Sequence, residues 1–301
     1  MRREMMRYVK SLSWVWIIIL SLMLIDGLWL WRKGMSIDAG ALGVFALFES
    51  LFLVVAMIYT YLRCDQRLAN LAWYTAQFLA YSTSVAIFNY LVVTFDRPLI
   101  DETLRSSDHV LGFDWPFVYE WVLKHPTIQK ILVVAYNSVV VQMGCLTMVL
   151  ISLRRFDRVK LFLWLYIVTT LIFIVIGGIV PAAGAFGYYQ QATDTLYVRQ
   201  FYALREGSIK VLELTKLQGV VQFPSFHFAL AVFCTYVMRG IRFWYPLFLM
   251  LNLVVIVATP PIGGHFLTDL LASAVLVVPV IYLVERCLKA SCAKETSEVN
   301  L

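Results

Sequence analysis

Apolar runs of about 20 residues recur along the whole chain, and no other feature constrains its fold so tightly. A helix of that length crosses about 30 Å of hydrocarbon, and inside a bilayer every peptide group must find its partner within the protein. Eight candidate spans follow, at 13–31, 42–62, 73–94, 130–152, 161–180, 223–238, 243–259 and 266–285. Composition agrees: 61% of the 301 residues are hydrophobic and 15% charged, against roughly 25% charged in a soluble domain. The expected fold is therefore an all-α integral membrane protein of about eight transmembrane helices. The third span is diluted by Thr75, Gln77, Ser82, Thr83, Ser84 and Asn89, as expected of a helix that faces protein or a wet cavity rather than lipid.

Basic residues set the orientation. Arg2, Arg3, Arg7 and Lys10 precede the first span, and Arg63, Arg67, Arg154, Arg155, Arg158, Lys160, Arg239, Arg242, Arg286, Lys289 and Lys294 fall in short segments on the same side. The positive-inside rule places that side, with both termini, in the cytoplasm. The N-terminus has the basic start of a signal peptide. Its apolar run is long, however, and no small-x-small cleavage site follows, so an uncleaved first helix is expected. The net charge of +6 serves topology, and no nucleic-acid partner is expected. Cys64, Cys145, Cys234, Cys287 and Cys292 show no paired metal or redox spacing.

This topology puts all four histidines, His109, His125, His227 and His265, on the outer face. Two long connections lie there as well. Residues 95–129 mix acids with apolar residues spaced three and four apart, and read as short interfacial helices under a solvated acidic cap without chemistry. Residues 181–222 open with a Pro181–Gly187 breaker and run, tyrosine-rich and basic, into Phe223-Pro224-Ser225-Phe226-His227. The chain divides into a two-helix extension (1–72), a transmembrane core (73–290) and a short cytoplasmic tail (291–301).

The chemistry concentrates in two places. Gly263-Gly264-His265-Phe266-Leu267-Thr268-Asp269 heads the last apolar run, and a histidine and carboxylate at i and i+4 face each other on a helix. Ionisable groups in or near lipid are costly and tend to mark function. Pro224-Ser225 ahead of His227 is a helix start signal. Helix starts offer free N–H groups and the positive dipole end to anions, and glycine lets an anion approach the backbone closely. Two histidine-bearing helix starts on one membrane face make a candidate phosphate cradle. Asp26 and Glu49, in the first two spans, read as helix-pairing or vestibule acids. Tyr136, Asn137 and Gln142 read as interhelical hydrogen-bonding groups, with His109 and His125 as interface residues.

Pro-Ser-x-His at 224–227 followed by Gly-His-x-x-x-Asp at 264–269 resembles the type 2 phosphatidic acid phosphatase (PAP2) superfamily of membrane phosphatases and phosphotransferases. Phe-Pro-Ser-Phe-His and Gly-Gly-His-Phe-Leu-Thr-Asp, with the segment Arg97–Trp115, are similar to its inositolphosphotransferase-like branch, which includes inositol phosphorylceramide synthases. The likeness covers roughly residues 75–285 and implies a PAP2-like six-helix core behind two extra N-terminal helices. It implies His265 as nucleophile, Asp269 as the residue orienting it, and His227 as the acid that protonates the leaving alkoxide. Backbone groups near Ser225 and Gly264 would bind phosphoryl oxygens, with no metal and no cofactor.

The superfamily's Ser and Arg before the nucleophile are Ala258 and Thr259 here, and its Lys-x₆-Arg-Pro motif is absent. The phosphate clamp is therefore expected from Arg205, with Lys210 second. The function so implied is phosphoryl chemistry on a lipid phosphate or phospholipid at the outer, periplasmic face of a bacterial inner membrane. The acceptor would be water or an alcohol, and Phe226, where the hydrolases carry a small residue, leaves transfer to an alcohol open. The rival reading is a non-catalytic protein of the same fold that binds or transports lipid phosphates.

Overall fold

The computed structural model describes residues 2–191 and 195–297. It is all-helical apart from one two-residue strand pair. The long helices are α1 (Arg2–Lys33), α2 (Ala39–Met57, continued by a π-helical turn Ile58–Leu62) and α3 (Gln66–Val93). Two short outer helices follow, α4 (Asp101–Val110) and α5 (Trp115–Leu123), then α6 (Pro126–Ser152) and α7 (Phe156–Ile179). The second outer segment holds α8 (Gly184–Tyr188) and α9 (Leu196–Arg205). The chain closes with α10 (Phe226–Val237), α11 (Trp244–Gly263) and α12 (Leu267–Ser297).

Among the described residues, seven helices are long and apolar enough to cross a membrane. Each coincides with one of the expected spans. The sixth expected span, 223–238, is the exception. Phe223-Pro224-Ser225 is not helical, and α10 has only 12 residues, about 18 Å at 1.5 Å per residue. Such a short helix is tolerated because protein, not lipid, surrounds it. Ala229, Ala231, Phe233, Cys234 and Val237 are fully buried against α6, α7, α11 and α12.

Helix α3, the most polar span, sits inside the bundle between α1, α2 and α7. Its polar groups are used there. The Tyr81 hydroxyl donates to the Ile167 carbonyl at 3.0 Å, and Ser82 lies 2.9 Å from the Tyr166 hydroxyl. Helices α1 and α2 also pack on α3. Their connecting strand, β1 (Ser36–Ile37), pairs in parallel with β2 (Val211–Leu212) and ties the extension to the segment ahead of α10. Asp26 is 3% exposed, and neither its carboxylate oxygens nor those of Glu49 have a hydrogen-bond partner among the described residues. Helix pairing through these two acids is therefore not what the structure shows.

The first outer segment also corrects the sequence reading. Asp101 and Asp108 are buried and fasten helix starts, so the segment is more than a solvated acidic cap. Asp101 accepts from the Ala183 and Gly184 N–H groups at 3.0 and 2.9 Å, where α8 begins. Burial pushes its carboxyl up to about 6 against the pull of those two donors. Trp115 lies stacked between Tyr119 and Tyr189, with centroids at 4.9 and 5.4 Å. Its indole N–H donates to the Pro260 carbonyl at 3.0 Å. Trp115 thus clips the outer segments onto the end of α11. Trp115→Ala should cost about 3–5 kcal/mol, as large buried-aromatic truncations do, read as a clear fall in the unfolding temperature in detergent.

Candidate active site

His265 stands in the three-residue link between α11 and α12. Gly264 makes that link possible. Its φ of +69° is a left-handed helix cap, a conformation open to glycine at little cost. A Cβ there would also stand 2.6 Å from the Phe186 ring and 2.7 Å from the Tyr197 hydroxyl oxygen. Beyond the link, Asp269 lies in the first turn of α12. Its Oδ2 accepts the Phe266 N–H at 2.9 Å and faces His265 Nδ1 at 3.2 Å. One carboxylate therefore closes the helix start and fixes the imidazole, leaving Nε2 as the ring atom free of Asp269. Burial pushes the His265 imidazole down to about 4, with the main-chain carbonyl of Gln222 pulling the other way, so the ring is neutral near pH 7.

His227 is the second residue of α10. Its Nδ1 is 3.1 Å from the Tyr136 hydroxyl, and the two rings stack at 4.1 Å. The starts of α10 and α12 are stitched together by Ser225 N–H donating to the Asp269 carbonyl at 3.4 Å and Ser273 Oγ donating to the Ser225 carbonyl at 3.0 Å. This brings the His227 and His265 rings to 6.5 Å between centroids. Both line one cavity of about 360 Å³, together with Asn89, Tyr136, Gln218 and Gln222. Among the described residues no Lys, Arg, Asp or Glu side chain lines it.

Three sequence expectations for binding groups change here. Gly263 and Gly264 end α11 rather than opening α12, and the Gly264 N–H donates to the Pro260 carbonyl. The free N–H groups of α12 are also taken: Leu267 and Thr268 N–H both donate to the Asp108 carboxylate at 2.8 Å, joined by the Thr268 hydroxyl at 2.6 Å. Arg205 is held away from the cavity by Asp96 at 2.6 Å and by the Arg97 carbonyl at 2.8 Å. Lys210 is exposed, its carbonyl engaged by the Ser36 N–H of the strand pair. Thr259, at the position of the superfamily's arginine, donates to Val255 within its own helix. Ser225 does sit beside the histidines, fully buried, with its hydroxyl unpaired.

The structure adds residues that sequence reading did not select. Asp108 lies far off in the chain among other acids, with nothing local to mark it as the cap of α12. Tyr136 reads as an interhelical group and is in fact the partner of His227. Gln222 and Tyr197 carry no motif at all. Among the described residues no three His, Cys, Asp or Glu side chains cluster as metal ligands.

The family model described as PAP2 superfamily matches residues 102–283 of this chain. The chain belongs to the PAP2 superfamily. No curated protein and no solved structure gave a match. The match begins at Glu102, so α1, α2 and α3 precede it, yet α3 contributes Ser82, Val85, Ala86 and Asn89 to the cavity. In this PAP2 protein a helix that precedes the matched residues, α3, therefore shapes the site. Lipid-phosphate chemistry of the phosphatase or phosphotransferase type is the general activity that goes with PAP2 membership.

Asp108→Ala removes three hydrogen bonds at the start of α12 and leaves two half-buried N–H groups unpaired. We expect it to lose about 2–4 kcal/mol, from charged-acceptor bonds and unmet donors, seen as a lower unfolding temperature. Asp114→Ala, which removes a single cap bond to the Phe117 N–H at the exposed start of α5, should change stability far less.

Proposed function

We propose that this PAP2 protein transfers lipid-borne phosphoryl groups at the outer face of a bacterial inner membrane, through a phosphohistidine on His265. The observation that carries the reading is the facing pair of histidines, 6.5 Å apart across a shared cavity, one of them oriented by a buried carboxylate. In the first step Nε2 of His265 attacks phosphorus from about 3–3.5 Å, the near-attack range. As the P–N bond forms, the P–O bond to the leaving alcohol breaks, and that oxygen takes the proton of His227. In the second step an acceptor hydroxyl attacks phosphorus, gives its proton to His227, and the P–N bond breaks. Asp269 holds the ring tautomer and offsets the positive charge on phosphorylated His265. Splitting one hard displacement into two is the advantage of a covalent route.

The cavity supports a phosphodiester substrate over a phosphomonoester. Among the described residues no cation lines it, and Asp101, Asp108 and Asp269 are all buried nearby. An unpaired buried charge is expensive, and a dianion would fare worse here than the single charge of a phosphodiester. That preference fits the inositolphosphotransferase-like branch and transfer of a phosphorylated head group to an alcohol. The same lack of a cation is what a non-catalytic lipid-phosphate binder could share, and activity separates the two.

The test is purified protein in nanodiscs containing phosphatidic acid, phosphatidylglycerol, phosphatidylinositol or phosphatidylcholine, with phosphate release and head-group transfer both followed. Wild type should turn over a phosphodiester lipid faster than phosphatidic acid. His265→Ala should lose about 10³-fold or more, as removal of a nucleophile does. His227→Ala should lose about 10²–10⁴-fold, the range for a positioned acid. Equal turnover by wild type and His265→Ala on every lipid would remove the catalytic reading.

A further inference from the structure

With Arg205 and Lys210 away from the cavity, something else must hold the phosphoryl oxygens. We propose that the Tyr197 hydroxyl is a catalytic hydrogen-bond donor to the phosphoryl group, in place of a cationic clamp. The proposal rests on the phosphoryl-transfer reading of the His227–His265 site.

Tyr197 is the second residue of α9. Its ring packs beside Phe186, centroids 6.2 Å apart, and would do so equally well as phenylalanine. Yet it carries a hydroxyl that is buried and has no hydrogen-bond partner among the described residues. A buried polar group left unpaired is costly, and one in a native fold calls for an explanation. This one lies against the link that carries His265: it stands 2.7 Å from where a Cβ on Gly264 would be. Tyr136, Asp269, Asp101 and Tyr202 are the ionisable groups close enough to act on it. Burial keeps the phenol well above its usual range, so the group is a donor throughout the neutral range.

Two more unpaired buried atoms belong to the segment that leads into α10. Ser225 Oγ belongs to the start of α10, stitched to Asp269. Gln222 Oε1 belongs to a cavity-lining side chain. A Cβ at Gly184 would stand 2.8 Å from the Gly264 carbonyl and 3.0 Å from Gln222 Cγ, which puts Gln222 beside the link that Tyr197 touches. Unmet hydrogen-bonding atoms from α9 and from the segment leading into α10 thus flank the link that carries His265 and the helix start that carries His227. A phosphoryl group, with oxygens free of the scissile bond, satisfies the two hydroxyl donors.

The electronic account is simple. While the P–N bond to His265 forms and the P–O bond to the leaving alcohol breaks, Tyr197 keeps its proton and only donates a hydrogen bond. Tyrosine hydroxyls serve in this way where charge develops on oxygen in a water-poor site. A neutral donor also avoids burying a guanidinium beside three carboxylates that would otherwise capture it.

The experiment is Tyr197→Phe in nanodiscs, with His265→Ala alongside, assayed on vesicle lipids (phosphatidylglycerol and phosphatidic acid) and by orthovanadate, a phosphoryl mimic, whose binding is read as a thermal shift without any substrate. Tyr197→Phe should lower kcat/KM about 10²-fold, the usual effect of deleting one such donor, and weaken vanadate in parallel. Its unfolding temperature should equal or exceed that of wild type, because the substitution removes an unpaired buried hydroxyl. Unchanged kcat/KM and vanadate affinity would overturn the proposal. So would a loss of activity with vanadate affinity unchanged, which marks a structural role. If His265→Ala also keeps its activity, the underlying phosphohistidine reading fails; if only Tyr197→Phe does, that reading stands and this donor role falls.

Discussion

Everything in the site hangs on the carboxylate of Asp269 at the start of α12. Its side chain takes the Phe266 N–H and faces His265 Nδ1, while its main-chain carbonyl takes the Ser225 N–H from α10. One residue thereby fixes an imidazole, closes a helix start and fastens a second helix start beside the first. Both side-chain contacts fall on Oδ2, and the buried Oδ1 has no hydrogen-bond partner among the described residues. The short helix α10 spans too little to stand in lipid, so α6, α7, α11 and α12 enclose it, and the enclosure is what holds His227 opposite His265.

The electrostatics of the site run against a simple picture of phosphate binding. Carboxylates do the structural work around His265: Asp108 caps α12, Asp101 caps α8, and Asp269 orients the ring. The cations lie elsewhere. Arg205 neutralises Asp96 on the outer surface, and Arg239 pairs with Glu285 toward the other end of the bundle. The space between the histidines is bordered instead by amides and hydroxyls. On the proposed reading such a site discriminates by charge as well as by shape, favouring a phosphoryl group that arrives with one negative charge.

Much of this was legible in the sequence, for identifiable reasons. Hydrophobic runs long enough to cross a bilayer located seven membrane helices, because length and composition suffice for that inference. The histidine motifs were legible because His265 and Asp269 are four residues apart and act locally. The clamp was not. Arg205 is near the site in sequence pattern, but its destination depends on Asp96, more than a hundred residues earlier. Asp108 is equally remote from the helix it caps, and like the buried Asp101 it stands among acids such as Asp96, Glu102 and Asp114 that are exposed, so composition alone suggested a solvated surface. Gly264 was read as a helix start and is a helix end, a difference of one φ angle that no spacing rule detects. The shortness of α10 was hidden because Phe223-Pro224-Ser225 adds apolar length without adding helix.

The central claim is that His265 becomes covalently phosphorylated. It is tested most directly by mixing the protein with a radiolabelled phospholipid, quenching in alkali, where a phosphohistidine survives, and mapping the label by mass spectrometry. The account predicts label on the peptide carrying His265 and a higher level of it in His227→Ala if the second step is slowed more than the first. A label confined to another residue, or none at all under conditions of active turnover, would contradict it.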